Sequence, residues 1–244
     1  MKPGDAGAVR ELFESIAPAY DRLNDLLSLG LHRIWKRQAV AWLRPRPGQR
    51  LLDLCCGTGD LALVMAAAVR PGGLVLGLDA AAAPLGRALE RSRRQPWLAL
   101  EWRQGDALAT GLPDGWADGA VMAYGLRNLS DPAAGLRELR RVLRPGGRAA
   151  VLDFNRPDPA GAASAGEAVR ERLVQGAQRF ALRRVVVPMA RQAGLEAQYA
   201  YLEESLTRFP TGTKQEELAR AAGFPFARHR LLAAGQMGLL QLQA

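Results

Sequence analysis

The stretch LLDLCCGTGDLA, residues 51–62, is the most informative segment for the fold of this chain of 244 residues. It begins with a short apolar run typical of a buried strand, and a glycine-rich turn then opens an apolar helix. Gly57, Gly59 and Ala62 satisfy the pattern G-x-G-x-x-G/A. Glycines in such a turn let the backbone approach a ligand, and the amino end of the helix offers N–H groups and partial positive charge. We therefore predict a strand–turn–helix unit with a ligand site at the turn.

Strand and helix patterns alternate outward from this unit. Apolar runs predict strands at 50–54, 74–79, 98–104, 119–124 and 148–154, with helical patterns between them and two final strands at 227–234 and 236–243. Asp131 is the expected N-cap of the helix after the fourth strand. Strands that alternate with helices of this length predict an α/β fold with a mostly parallel sheet.

Two ligands fit the glycine turn, a dinucleotide or S-adenosylmethionine. Asp79 ends the second strand, where a carboxylate accepts hydrogen bonds from two ribose hydroxyls in either case. Asp53 separates the two ligands, because a carboxylate beside the turn repels a pyrophosphate and attracts the methionyl ammonium, directly or through water. Asp106 follows the third strand and is the candidate acceptor for the adenine amine, with Leu108 or Leu112 beside the ring.

Composition excludes several classes of protein. Apolar residues make up 48% of the chain and charged residues 23%, which is ordinary for a globular domain and excludes a disordered protein. The longest apolar run, 61–69, is far shorter than the roughly 20 residues that a spanning helix needs. The start of the chain lacks the apolar core of a signal peptide, so we expect a cytoplasmic protein. Cys55 and Cys56 are adjacent, which predicts two thiols and neither a disulfide nor a metal site.

The net charge of +9 leaves three interpretations open. It reflects a solvated surface rich in arginine, contact with an anionic membrane, or binding of nucleic acid. The arginines are scattered and aromatic residues make up only 6% of the chain, so we expect no nucleic-acid partner. Peripheral contact with an anionic membrane stays open.

Several segments together resemble a known family. DLCCGTGD, Asp79, GDA at 105–107 and RVLRPGG at 141–147 look like the ordered motifs of class I S-adenosylmethionine methyltransferases. YDRLNDLLSLGLHRIW at 20–35 and YGLRN at 124–128 are similar to two signatures of the ubiquinone/menaquinone biosynthesis C-methyltransferases. Segments 199–212 and 222–238 resemble most the cyanobacterial and plastid branch, which methylates 2-phytyl-1,4-naphthoquinone to phylloquinone.

The resemblance covers about residues 10–240 and implies a Rossmann-like sheet of seven strands, mostly parallel with the last antiparallel, and helices on both faces. It implies one domain, residues 1–244, made of a helical cap (1–47), a cofactor-binding half (48–156) and substrate-side helices with the final strands (157–244). S-adenosylmethionine is the implied cofactor, and no metal is expected. The cofactor-binding residues are then Asp53, Gly57, Thr58, Gly59, Asp79, Asp106, Ala107 and Ala123; the family commonly has Ser at the last of these positions.

The implied reaction is attack by a ring carbon of a prenylated naphthoquinol on the sulfonium methyl group, followed by loss of the ring proton. Demethylmenaquinol or another small acceptor is the alternative substrate. Tyr20, Trp35 and Tyr124 are candidate acceptor contacts, with lid and core roles as the alternative for Tyr20 and Trp35. Phe180 with the apolar stretch 185–190 is the candidate groove for the tail, or it is plain core.

Arg127, Asn128 and His32 are the candidate catalytic residues. Arg127 holds a developing phenolate or orients a water, or it is a structural arginine paired with a carboxylate. His32 is a base or substrate contact, or it packs and caps a helix. Asp153 is a second acid at the site or a turn residue at a strand end.

Two rival functions come from other classes. A nicotinamide-dependent oxidoreductase predicts a spectral signal on addition of NADH. A basic RNA-associated protein predicts RNA binding with a steep salt dependence.

Overall fold

The computed structural model describes residues 7, 9–11, 14, 30–162, 164–181, 184, 201 and 204–244. Tyr20, the amino-terminal part of the signature at 20–35 and the stretch 185–190 lie outside the described residues.

One sheet organises the described part of the chain. Its strands run in the order β3-β2-β1-β4-β5-β7-β6. Strands β1 to β5 pair in parallel, and β7 is antiparallel to both of its neighbours. The expected sheet of seven strands with an antiparallel last strand is thus confirmed. The bounds are β1 (Arg50–Leu54), β2 (Leu74–Asp79), β3 (Leu100–Gln104), β4 (Ala117–Ala123), β5 (Leu143–Phe154), β6 (Phe226–Leu232) and β7 (Met237–Gln243).

Helices cover both faces of the sheet, as the apolar runs of its central strands require. Helices α1 and α2 share a buried core with β1, β4 and β5 on one face, and α4 and α6 close a second core on the other face. Asp131 caps α4 as expected, because its side chain accepts from the backbone N–H of Ala134. The helices are α1 (His32–Leu43), α2 (Asp60–Ala68), α3 (Ala82–Arg93), α4 (Pro132–Val142), α5 (Ala165–Ala181) and α6 (Gly212–Ala221).

Five of the seven strands differ from the predicted ranges at one or both ends, and three of these differences have a clear structural cause. Strand β4 ends at Ala123, because Tyr124 has a φ of 59° that a strand cannot continue. Strand β6 ends at Leu232, because two alanines with φ of 51° and 53° follow it. Strand β5 already begins at Leu143, and its Pro-Gly-Gly segment is held to the chain end by a bond from the N–H of Gly146 to the carbonyl of Ala244.

The strand order reverses between β1 and β4. At such a switch point the loops that follow the neighbouring strands diverge and leave a crevice outside their carboxyl ends. The glycine turn follows β1, and the YGLRN segment follows β4. The fold therefore brings the two most informative sequence segments to opposite walls of one crevice.

Candidate active site

A cleft lies at the carboxyl ends of β1, β2 and β4. Its walls come from the glycine turn, the end of β2, the segment after β3 and the YGLRN segment. The empty space within it, including solvent at the mouth, is about 970 Å³. Six of the eight expected cofactor-binding residues line it: Gly57, Thr58, Asp79, Asp106, Ala107 and Ala123.

The two glycines of the turn have different reasons to be glycine. Both have positive φ, 54° for Gly57 and 80° for Gly59. A Cβ on Gly57 would meet no atom within 4 Å, so this residue leaves open space at the wall of the cleft. A Cβ on Gly59 would collide with the ring of Trp102, and Gly59 does not line the cleft. Gly57 therefore leaves room for a ligand, whereas Gly59 allows the close packing of the turn against β3.

Asp79 joins the end of β2 to the glycine turn. Its Oδ2 accepts from the N–H of Gly57 at 2.8 Å, and its Oδ1 accepts from the N–H of Ala81 at 2.9 Å. Burial raises the pKa of this carboxyl, and these backbone bonds act against the rise. Each oxygen of a carboxylate can accept a further bond, so Asp79 can hold the turn in place and still bind two ribose hydroxyls.

The segment after β3 forms the wall expected for the adenine. Asp106 uses Oδ1 to accept from the N–H of Leu108 at 2.8 Å. Ala107 and Leu108 both line the cleft, while Leu112 is buried in the core below. Of the two leucines expected beside the ring, the structure thus brings only Leu108 to the cleft.

Asp53 lies behind the glycine turn and is only 1% exposed. Its Oδ2 accepts from the N–H of Ala62 in the first turn of α2 at 2.8 Å. Burial raises the pKa of Asp53 to about 8, against the opposing effects of this bond and of Lys36. Asp53 does not line the cleft, so any attraction for an ammonium group acts through the turn or through a water.

The turn itself is braced from both sides. Asp60, at the start of α2, forms ion pairs with Lys36 of α1 at 2.9 Å and with Arg91 of α3 at 2.6 Å. Although burial raises the pKa of Asp60, the two cations together lower it to about 2. Arg91 also donates to the carbonyl of Thr58 at 2.9 Å. These contacts fix the backbone that faces the cleft.

The amino-terminal residues reach the same site. Val9 and Arg10 line the cleft beside the start of α3. The carboxylate of Glu14 accepts from the N–H groups of Ala82 and Ala83 at 2.6 and 2.8 Å. Glu14 thereby caps α3, whose own N-cap residue makes no side-chain bond.

The YGLRN segment forms the opposite wall. Tyr124 and Asn128 both line the cleft. The carboxamide of Asn128 donates to the carbonyl of Tyr124 at 2.7 Å and accepts from the hydroxyl of Tyr201 at 3.0 Å. Cys55 and Tyr124 both line the cleft, and each has a φ of 59°. This backbone conformation costs non-glycine residues about 1–3 kcal/mol and concentrates at functional sites.

Arg127 is not among the residues that line this cleft. Its guanidinium donates to Asp153 at 2.8 Å and to the carbonyl of Tyr124 at 2.9 Å, and it lies over the rings of Tyr124 and Phe154. Asp153 is 2% exposed and accepts also from the backbone of Arg127 at 3.3 Å. Of the alternatives left open by the sequence, the structure shows the paired arginine and the strand-end carboxylate.

Four further candidates stand apart from the cleft-lining residues: Arg127, His32, Trp35 and Gly59. His32 begins α1 and is 4% exposed. Trp35 packs half-buried against the core formed by α1 and α2. Their catalytic and acceptor roles remain predictions.

Sequence reasoning missed several residues at the site. Cys55 and Arg10 line the cleft, and Tyr201 reaches it through Asn128. A carboxyl-terminal tyrosine more than 70 positions from its partner carries no local pattern that would place it there. Cys55 lies two positions before Gly57, between the end of the strand and the glycine pattern, and this place was its one signal in the sequence.

Comparison with known proteins gives a consistent picture. Residues 1–240 match the model of the ubiE/COQ5 methyltransferase family. The chain is 47% identical to the 2-phytyl-1,4-naphtoquinone methyltransferase of Synechococcus elongatus, over 97% of both chains. It is 41% identical to the chloroplastic 2-phytyl-1,4-beta-naphthoquinone methyltransferase of Arabidopsis thaliana, over 95% of this chain and 85% of that protein.

Solved structures share the fold at low identity. A SAM-dependent methyltransferase from Aquifex aeolicus superposes with a TM-score of 0.62 at 15% identity, over 91% of this chain and 97% of that one. An arsenic(III) S-adenosylmethionine methyltransferase from Chlamydomonas reinhardtii gives 0.54 at 22% identity, over 81% and 62%. These likenesses bear on the architecture alone.

Proposed function

Because the chain belongs to the ubiE/COQ5 methyltransferase family, we propose that it methylates a ring carbon of a prenylated naphthoquinol. The acceptor we propose is 2-phytyl-1,4-naphthoquinol. The chain is an S-adenosylmethionine-dependent methyltransferase. The observation that carries the proposed acceptor is the 41–47% identity, over nearly the whole chain, to proteins named for 2-phytyl-naphthoquinone methylation.

The cleft fits the cofactor by its donor set. The carboxylate of Asp79 faces the cleft with acceptor capacity to spare and is available for the ribose. Asp106, in the segment after β3, is available for the adenine amine, and Leu108 supplies an apolar surface for the ring. Asp53 supplies a buried carboxyl behind the turn, which the methionyl ammonium of a bound ligand would favour in its ionised form. When bound, S-adenosylmethionine supplies an activated methyl group that a carbon nucleophile can take.

The chain's main contribution to rate is alignment. The reduced naphthoquinol is nucleophilic at its ring carbons and needs its C3 in line with the methyl group. Orientation of this kind is worth roughly 7–11 kcal/mol of barrier in well-aligned reactions. Tyr124 and Asn128 line the wall opposite Asp79, and we assign them to the acceptor. Their positions depend on the bonds among Tyr124, Asn128 and Arg127.

Arg127 is assigned to positioning. Because it is paired with Asp153 and bonded to the carbonyl of Tyr124, it holds the acceptor wall in the conformation with positive φ. An arginine in this arrangement is a cation at all relevant pH values and does not serve as the base. The quinol hydroxyl proton leaves to water. The bond from C3 to the methyl carbon forms as the methyl–sulfur bond breaks, and the C3 proton is then lost to water.

We also propose peripheral contact with an anionic membrane. A phytyl-bearing acceptor resides in a bilayer, and the net charge of +9 favours an anionic surface. None of the helices in the described part of the chain is long and apolar enough to cross a membrane.

The test is incubation of the protein with S-adenosylmethionine labelled in its methyl group and a panel of quinones in oxidised and reduced form. The panel contains demethylphylloquinone, demethylmenaquinone and a soluble catechol. We expect label in the ring of reduced demethylphylloquinone. Label in reduced demethylmenaquinone alone or in the catechol alone would overturn the proposed acceptor.

A further inference from the structure

Helix α5 turns a row of apolar side chains outward. Val169, Leu173 and Phe180 are 54%, 70% and 65% exposed. Leu173 and Phe180 have the greatest exposure of any large apolar side chain in the described part of the chain. The three positions are four and seven residues apart, so they fall on one stripe of the helix. The smaller residues Gly176 and Ala177 lie beside the stripe and are also exposed.

The opposite side of α5 attaches it to the sheet. Gln178 donates to the carbonyl of Asn155 at 2.9 Å and to that of Gln236 at 3.3 Å, and Val174 packs against Gly235. Glu171 accepts from the N–H of Asp158 at 3.1 Å. Asn155 follows β5 directly, so α5 is held at the carboxyl edge of the sheet. This is the edge at which the cleft opens.

Charges are arranged on α5 in a definite order around its axis. Arg172 and Arg179 are exposed on one flank of the apolar stripe. Arg170 is exposed on the other flank, where it pairs with Glu167 at 3.7 Å and Glu171 at 3.6 Å. The acidic residues, Glu167 and Glu171, lie toward the protein. Arginine side chains beside an apolar stripe can keep their heads in the polar headgroup layer while their stems stay in contact with acyl chains. This order of charges matches an anionic bilayer surface.

We propose that α5 is a membrane-docking helix, whose stripe of Val169, Leu173 and Phe180 inserts into the headgroup region of an anionic bilayer while the flanking arginines bind its lipid headgroups. A helix of this kind lies in the plane of the interface with its apolar face buried a few ångströms deep. Docking would bring the carboxyl edge of the sheet, and with it the cleft, to the membrane surface. The benefit of docking rests on the proposed function, since only a membrane-borne acceptor needs it.

A second copy of the chain is a poorer occupant of this surface. The stripe from residue 169 to residue 180 is about 16 Å long at 1.5 Å per residue, and a stable interface buries about 800 Å² on each partner. Three side chains on one helix provide a small part of that area. Two copies joined through this stripe would also bring their arginine flanks together, and like charges repel.

The experiment measures cosedimentation of the full chain with vesicles of phosphatidylcholine containing phosphatidylglycerol, at low salt. We expect Leu173→Gln to weaken partitioning about tenfold, through loss of apolar burial, and Arg172→Gln to weaken it about fivefold. The matched control is Trp97→Gln. Trp97 is a 57% exposed aromatic that precedes β3 and so lies at the opposite edge of the sheet. Thermal melting of each variant checks that it is folded.

The outcomes separate this proposal from the proposed function. Loss of partitioning in the α5 variants, with Trp97→Gln unchanged, supports docking whichever acceptor is methylated. Wild-type partitioning in Leu173→Gln, or equal losses in the control, overturns it. So does a change of oligomeric state in Leu173→Gln without a change in vesicle binding. With an acceptor that has a short soluble tail, Leu173→Gln should retain the wild-type rate, and absence of turnover by both proteins would count against the proposed acceptor only.

Discussion

At the scale of single residues, Asp79 has two tasks that share one carboxylate. It holds the glycine turn through the N–H of Gly57 and presents its remaining acceptor capacity to the cleft. Asp79→Ala should therefore weaken cofactor binding at least about tenfold, because charge-assisted hydrogen bonds contribute roughly 1.5–3 kcal/mol each. Calorimetric titration with S-adenosylhomocysteine measures this. The control is Asp114→Ala, which removes a carboxylate that is 82% exposed; unchanged affinity in a folded Asp79→Ala would refute the assignment.

The raised pKa of Asp53 predicts that cofactor binding depends on pH. Because burial raises its pKa to about 8, the carboxyl of the free protein is protonated at neutral pH. A ligand ammonium nearby favours the carboxylate, so binding should release about one proton near pH 6.5 and affinity should rise up to about tenfold per pH unit until pH 8. Titrations in two buffers of different ionisation enthalpy count the protons. Asp53→Asn should release none, and equal release in both proteins would contradict the proposal.

The same carboxyl has the opposite effect on the free protein. Its pKa in the folded state lies above the ordinary value of 3.8, so the folded state binds more protons than the unfolded state between about pH 4 and pH 8. The contribution of Asp53 to stability therefore falls as the pH rises through that window. Bound ligand offsets this loss.

The residue scale also shows what the sequence can specify. Gly57 and Asp79 were predicted correctly as cleft residues, because their roles depend on short-range spacing after a strand. The need for glycine at position 59 was not predictable, because it comes from contact with the ring of Trp102 on β3, more than 40 residues away. Nor was the bond from Tyr201 to Asn128, which depends on tertiary packing of a distant segment.

At the scale of elements, the YGLRN segment is held by Arg127. A single guanidinium nitrogen, Nη1, donates hydrogen bonds to both Asp153 and the carbonyl of Tyr124. Arg127→Ala should lower the single-turnover rate about 10²-fold, because small misplacements of reacting groups can cost that much. Cofactor affinity should stay near wild type. Arg127→Lys should restore part of the rate, because one ammonium can replace Nη1, although the variant loses the stacking of the guanidinium on the rings of Tyr124 and Phe154.

Single-turnover measurement with reduced demethylphylloquinone at saturating cofactor provides this comparison. A wild-type rate in Arg127→Ala would remove the residue from the mechanism. A normal rate with lost cofactor affinity would move its role to the cofactor side.

The adenine wall is supported by a second element, α4. Glu138 accepts from the N–H of Thr110 at 2.8 Å and from Arg141 at 2.7 Å, and Arg141 also donates to the carbonyl of Leu112 at 2.8 Å. The bond from Arg141 and those from Thr110 outweigh partial burial and lower the pKa of Glu138 to about 2. Helix α4 thus anchors the segment that carries Asp106.

Glu138→Gln should destabilise the protein by about 1–3 kcal/mol at pH 7, the cost of weakening bonds to a buried charge. The deficit should shrink as the pH falls from about 4.5 to about 2, because the wild-type carboxyl then loses its charge. Urea unfolding at pH 7 and pH 3 measures both values. The exposed Glu90→Gln serves as control and should stay within about 0.5 kcal/mol; an equal deficit at the two pH values would contradict the ionic origin.

At the scale of the whole molecule, elements from opposite ends of the sequence meet on one sheet. Helix α1 packs on β4 and β5, and β7 adds to β5 from the other end of the sequence. The alternation of strands and helices predicted this architecture well, because each unit has its own period. The long-range contacts between the two ends leave no periodic pattern in the sequence, so they could not be predicted from it.

Trp42 is where the ends meet. Its Nε1 donates to the carbonyl of Leu242 at 3.2 Å, its ring stacks on Phe226 at 5.6 Å, and Arg148 lies over it at 4.8 Å. Burial of a large aromatic ring makes its removal costly, and Trp42 is half-buried, so Trp42→Ala should cost about 2–3 kcal/mol, below the roughly 3–5 kcal/mol of a full core position. Leu242 is the second-last residue of β7 and lies at the end of the sheet remote from the cleft, so cofactor affinity should not change.

If the described elements form one cooperative unit, Trp42→Ala should shift the whole unfolding transition rather than release α1 alone. Urea unfolding followed by tryptophan fluorescence and by far-UV circular dichroism tests this, and the two curves should coincide in wild type and variant. Trp97→Ala is the control, because that side chain is 57% exposed and its removal should change the free energy of unfolding by no more than about 0.5 kcal/mol. Separate transitions in Trp42→Ala would show that the amino-terminal helix unfolds independently, and the single-domain assignment of the chain would then fail.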